Sequence, residues 1–104
     1  MGTPRLTKPT IAVLEVLLGA SEDEPAWGLM ICMEADLGSG TVYPLLERLT
    51  KQAWVTSWTE SEPHPGRPPR RFYQLTQSGR LAAEVALQER AAKRARFRLA
   101  GGTA

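Results

Sequence analysis

The 104-residue sequence predicts a mainly α fold with a β-hairpin: a winged helix-turn-helix domain over residues 1–75, then a long C-terminal dimerisation helix over 76–104. Three observations carry this. Val42, Leu45, Leu46 and Leu49 recur at the i, i+3, i+4, i+7 spacing of one helical stripe, directly after a Gly38-Ser39-Gly40 break. Trp54–Ser61 and Arg70–Leu75 are rich in aromatic and β-branched residues and flank a proline-rich turn, as paired strands do. From Thr76 to about Leu99 the chain is mainly Ala, Leu, Glu, Arg and Lys, all strong helix formers.

Taken in order, Thr7 to Gly19 reads as the first helix, capped by Thr7, with Pro9 in its first turn. Its apolar residues cover most of the circumference, so it needs burial on more than one side. Ala20 to Pro25 is an acidic loop, and Ala26 to Ala35 reads as a short second helix. Ser39 or Thr41 is expected to cap a third helix ending near Gln52, with Pro44 in or near its first turn. In the first strand Trp54 and Trp58 are expected on one side, with Trp58 packed in the core. Glu62-Pro63-His64-Pro65-Gly66-Arg67-Pro68-Pro69 is the wing turn, and Thr76 caps the last helix.

Composition excludes several classes. No apolar run approaches the roughly 18 residues of a membrane span, and the N-terminal sequence lacks a secretory pattern, so a cytoplasmic protein is expected. Cys32 is the single cysteine; it can form no internal disulfide or thiolate zinc site and is expected to be buried. His64, the one histidine, sits between two prolines in an exposed turn, a poor place for a general base. Gly38-Ser39-Gly40-Thr41 has the spacing of neither a nucleophile elbow nor a P-loop. No enzyme, metal or cofactor is expected.

Charge is uneven. Residues 1–59 hold four basic and seven acidic residues, whereas 60–104 hold nine basic and four acidic, which points to a polyanionic partner for the second half. With its apolar stripe inward, the third helix leaves Ser39, Thr41, Tyr43, Arg48 and Lys51 outward. Thr41, Tyr43 and Arg48 are expected nearest the bases of a DNA major groove, and Lys51, Arg70 and Arg71 at phosphates. Arg67, at a stiff Gly66-Arg67-Pro68 tip, is expected in the flanking minor groove. The alternative is a winged helix used only for protein or RNA contacts.

The run Gly40-Thr41-Val42-Tyr43-Pro44-Leu45-Leu46-Glu47-Arg48-Leu49 resembles the signature of the PadR family. Gly28 with Ile31, then Trp58, Gly66-Arg67-Pro68, Phe72-Tyr73-Gln74-Leu75-Thr76 and Gly79, follow in the family's order, so the resemblance covers about residues 10–81. It departs at Leu29 and Met30, where the family has an aromatic and an acidic residue, and at Ala53, where a glycine is common. The resemblance implies a transcriptional repressor whose DNA affinity responds to a small molecule; a homodimer would set two recognition helices about one DNA turn apart and so read an inverted-repeat operator, and a small aromatic effector is expected to release it.

Two further expectations concern partners. Leu81, Val85, Ala92, Ala95 and Leu99 lie near one stripe of the last helix, which is expected to meet Leu14 and Leu18 of the first helix across a two-fold dimer. Trp27 and Trp54 are the residues expected to hold an effector.

Overall fold

The computed structural model describes residues 4–62 and 64–101. Pro63 of the wing turn and the outermost residues 1–3 and 102–104 lie outside the described residues. The elements are α1 (Lys8–Gly19), β1 (Ala26–Trp27), α2 (Gly28–Ala35), α3 (Ser39–Lys51), β2 (Val55–Thr59), β3 (Arg71–Leu75) and α4 (Gln77–Gly101). Val13, Leu14 and Leu17 of α1, Ile31 of α2, and Val42, Leu46 and Leu49 of α3 converge on a core closed by Val55, Tyr73 and Leu75 of the sheet and Ala83 of α4. Cys32 is buried among them.

The hairpin is part of a three-stranded antiparallel sheet in the order β1-β3-β2. Ala26 and Trp27 pair with Tyr73 and Phe72, so the second helix starts two residues later than its apolar pattern predicts. Two residues are too short for any alternation to announce a strand. The register Trp27–Phe72–Trp58 sets three aromatic residues in a row across one sheet face. On the other face lie Val55, Tyr73 and Leu75, all buried against the helices. Trp58 is therefore not a core residue: it is 39% exposed and leans on Phe72, ring centroids 5.7 Å apart. Trp54, which precedes the strand and escapes its alternation, is the buried one.

Helix ends explain the turns. Thr7 Oγ1 accepts the Thr10 N–H, and Pro9 lies in the first turn as expected. The cap of α3 is Gly38, whose carbonyl accepts from the Thr41 and Val42 N–H groups, so neither Ser39 nor Thr41 is the cap and Pro44 falls in the second turn. Its missing N–H leaves the Gly40 carbonyl without its helical partner, on an exposed face that water can serve. At the C-terminus the Trp54 N–H reaches the Leu49 carbonyl and the Ala53 N–H the Thr50 carbonyl, the double bond pattern of a Schellman motif.

That motif requires a left-handed residue, and Ala53 has φ 62°. A Cβ in this region costs roughly 1 kcal/mol. Ala53→Gly is therefore expected to stabilise the protein by about 1 kcal/mol, less the entropy glycine adds to the unfolded chain. A rightward shift of the urea midpoint at unchanged slope is the result that checks it.

Thr76 joins the sheet to α4. Its hydroxyl donates to the Ala53 carbonyl at 2.8 Å and accepts from the Gly79 N–H at 2.9 Å, capping the helix while tying it to the end of α3. Arg80 donates to the Leu18 carbonyl of α1. Beyond Arg90 every described side chain of α4 is exposed.

Candidate nucleic-acid interface

The outward face of α3 and the wing side of the sheet meet at one concave surface. Tyr43, Glu47, Thr50 and Lys51 of α3 line it with Ser57 of β2 and Arg71 and Tyr73 of β3. Tyr73 lies on the core side of the sheet, and burial raises its phenol above the ordinary range, so it stays neutral. Arg71 crosses the strand pair, donating to Ser57 Oγ at 2.9 Å and Thr59 Oγ1 at 3.3 Å, which holds its guanidinium beside α3. Lys51 contacts Glu47 one turn back at 3.8 Å, both side chains well exposed, so the ammonium is readily given up to a stronger anion.

Tyr43 has a reason to be where it is. It packs over Gly28, the first residue of α2, where a Cβ would overlap the phenol oxygen and stand 2.8 Å from a ring carbon. The glycine thus lets the ring lie flat between α2 and α3 while leaving it 42% exposed. The two helices of the helix-turn-helix are locked through this contact.

Thr41 and Arg48 flank α3 on the opposite side. Arg48 shares a depression of about 180 Å³ with Pro4, Arg5, Thr7, Thr10, Leu45 and Gln52. Arg5 is a cation that the sequence pattern of α3 could not find, because it reaches this flank through the fold from before α1. Ser39 stands exposed in the first turn of α3.

Two arginines lie elsewhere than expected. Arg67 is held by Glu60 in a two-pronged pair, at 3.0 and 3.1 Å, and also donates to the Pro68 carbonyl. The tip therefore has a structural reason to be basic, and Arg67 is folded back instead of extended toward a groove. Arg70 stacks its guanidinium 4.0 Å from the centre of the Trp27 ring, at the aromatic face of the sheet and away from α3. Its N–H donates to Glu60 Oε1, so one carboxylate gathers both sides of the wing. The bond from Arg67 keeps the Glu60 carboxyl below the ordinary range.

The sign of that shift fixes its pH dependence. The clamp's contribution is complete above the ordinary carboxylate range and is lost as pH falls through the lowered value. Glu60→Ala is expected to speed hydrogen exchange at the Arg70 amide and to remove the acid-dependent part of that exchange. Exchange at the core amides Leu46 and Leu49 should be unchanged, as NMR would show.

The tryptophans expected to share an effector open on different clefts. Trp27 lines one of about 530 Å³ with Glu15, Met30, Glu34, Arg70 and Phe72, among others. Trp54, 8% exposed, lies at the root of a shallow groove along α4 with Leu81, Ala82 and Val85. Leu14 is wholly inside the protomer's own core and offers no surface to a second subunit, whereas Leu18 is half-buried. Among the described residues no acidic, cysteine or histidine cluster could hold a metal, and no helix is long and apolar enough to cross a membrane.

Comparison with known proteins fits this geometry. A PadR family transcription regulator from hypervirulent Clostridium difficile superposes with a TM-score of 0.73 at 22% identity, covering 89% of this chain and 97% of that one. A PadR-like transcription factor from Bacteroides fragilis gives 0.62 at 25% identity, over 91% and 88% of the two chains. The smu.1704 protein of Streptococcus mutans gives 0.67 at 23%, over 99% and 93%. Among curated proteins none matches the sequence. The sequence model of the transcriptional regulator PadR-like family matches residues 17–85. The chain belongs to the PadR-like family. It is a regulator of transcription and not an enzyme, and its fold is the PadR winged helix with a long C-terminal helix. For a PadR-like chain the departure at Ala53 is conformational, since that residue keeps the left-handed turn without a glycine.

Proposed function

We propose that this PadR-like regulator binds duplex DNA sequence-specifically as a homodimer and represses transcription. The observation that carries the reading is the surface shared by Tyr43, Lys51, Ser57 and Arg71, where the recognition helix and the sheet present two cations and two hydroxyl groups to one partner. Hydroxyls and cations at that spacing suit the phosphates bordering a major groove. Gly40, Pro44, Glu47 and Lys51 form the outermost row of α3, flanked by Thr41 and Arg48 on one side and Tyr43 on the other. Arg48 is the side chain suited to a guanine edge, and Arg5 beside it to a phosphate. Arg67 acts through the shape of the wing. The homodimer is carried by α4, whose exposed stripe has nothing in the protomer to cover it.

The effector part of the reading rests on Trp27, whose cleft is of the size drug-like ligands occupy. Release by a planar aromatic compound would be seen as quenching that Trp27→Phe abolishes, together with loss of the DNA complex. The function itself is tested by mobility shift of promoter duplex against RNA of equal length at several salt concentrations. Preference for duplex DNA with a steep salt slope supports it; equal or better RNA binding contradicts it.

A further inference from the structure

The turn between β2 and β3 is balanced in charge: over residues 60–70, Glu60 and Glu62 stand against Arg67 and Arg70. The fold goes further and engages both arginines. Glu60 is fixed at the end of the strand pair, where its N–H donates to the Arg70 carbonyl at 2.7 Å. Arg67 is fixed by the turn His64-Pro65-Gly66-Arg67, in which its N–H reaches the His64 carbonyl and Gly66 has φ 85°. Proline followed by a positive-φ glycine is the pattern of a type II turn. Two side chains set by the backbone in this way meet with little further ordering, and the guanidinium lies fork to fork on the carboxylate. A third bond, from Arg67 Nη1 to the Pro68 carbonyl, holds the same group back along its own chain. Only 28% of the Arg67 side chain is left to solvent. Arg70, the other cation of the turn, lies over Trp27.

We propose that Glu60 is a specificity-determining residue: by holding Arg67 it keeps the wing from reading the sequence that flanks the site of α3. This rests on the duplex-binding reading above and adds to it which part of the duplex goes unread. The strands that bring Ser57 and Arg71 to the surface beside α3 run on into this turn, so the tip comes next along a duplex docked there. An arginine free at such a tip suits a narrow, A·T-rich minor groove, whose negative potential is enhanced. To enter one, Arg67 must give up both prongs of its pair. The Glu60 carboxylate would then keep the Arg70 N–H as its one remaining donor, close to the phosphates of the duplex. Losing the pair and gaining a like-charge neighbour both oppose the exchange. The wing of this chain therefore contributes its shape and withholds its charge.

Two duplexes test this with the full chain. They share one repeat recovered by selection, flanked by A-tracts in one and by G·C runs in the other. The wild-type chain is expected to bind both alike. Glu60→Gln keeps an oxygen for the Arg70 N–H but removes the second prong and the charge. At 0.1 M salt it is expected to bind the A-tract duplex about eightfold tighter for each wing that reaches DNA, with a salt slope steeper by about 0.9. It is also expected to prefer that duplex to the G·C one. Glu62→Gln removes the same charge from an exposed position in the same turn, and is expected to show neither the steeper slope nor the preference. Glu60→Gln/Arg67→Gln is expected to return to wild-type binding, because the gain requires the arginine. A wild-type preference for A-tract flanks overturns the proposal, and so does a Glu60→Gln chain that binds no tighter than Glu62→Gln. A gain that survives in the double variant belongs to another group and overturns the role given to Arg67. Recovery of no repeat by the wild-type chain is the one outcome that overturns the duplex-binding reading itself, and this proposal with it.

Discussion

Gly79→Ala is expected to destabilise the protein by about 3 kcal/mol, the upper part of the range for overpacking a tight contact. A Cβ at Gly79 would overlap the Trp54 carbonyl oxygen and stand 2.8 Å from its carbonyl carbon and Cα. These are backbone atoms, so no rotamer change relieves the clash. The carbonyl in question is itself fixed, because it accepts the Thr76 N–H at 2.9 Å. Relief would require α4 to lift away from the end of α3, breaking the bonds from the Thr76 hydroxyl to the Ala53 carbonyl and from the Gly79 N–H to Thr76. For a domain of this size the loss corresponds to a fall in melting temperature on the order of 15 °C. A scanning calorimetry trace within 3 °C or so of wild type would show that the contact is softer than the structure makes it.

The second large effect is on DNA. Lys51→Ala/Arg71→Ala removes the two cations that the fold brings to the shared surface of α3 and β3. If each neutralises one phosphate, the pair contributes about 1.8 to the slope of log affinity against log salt. At 0.1 M salt that corresponds to about a sixtyfold loss of affinity, nearly equal for cognate and random duplexes, because phosphate contacts carry no sequence information. Neither side chain is part of the apolar core: Lys51 has its exposed contact with Glu47, and Arg71 bonds hydroxyls on the neighbouring strand and the Tyr73 phenol at its edge. Stability should therefore hold while binding falls. A slope unchanged from wild type would remove this surface from the interface.

Much of this was readable because it depends on periodicity. The stripe Val42, Leu45, Leu46, Leu49 became the buried side of α3, and the exposed positions Tyr43 and Lys51 followed from the same count. The hairpin and the last helix were likewise announced by composition. What escaped depends on partners distant in sequence. Glu60 lies at the end of a polar strand, and only the folded turn brings Arg67 and Arg70 to it. Arg70 and Arg71 are adjacent and chemically alike, yet strand alternation sends one to Trp27 and the other to Ser57. Trp58, expected in the core, is exposed while Trp54 is buried, because the strand begins one residue after Trp54 and Trp54 escapes its alternation. Leu14 looked available because α1 is apolar nearly all round, but the sheet and helices enclose it from every side. The strand β1 left no trace in the sequence, since a two-residue pairing is decided by its neighbour β3 alone.

Selection of bound fragments from a random duplex pool tests the central claim most directly. A dimeric winged helix that places one α3 in each of two major grooves should enrich an inverted repeat, its half-sites about one helical turn, roughly 34–36 Å, apart. Enrichment of such a repeat by the wild-type chain, and of the same repeat by Lys51→Ala/Arg71→Ala but only at lower salt or higher protein concentration, is the predicted result. A pool that stays random under wild-type selection would contradict the account.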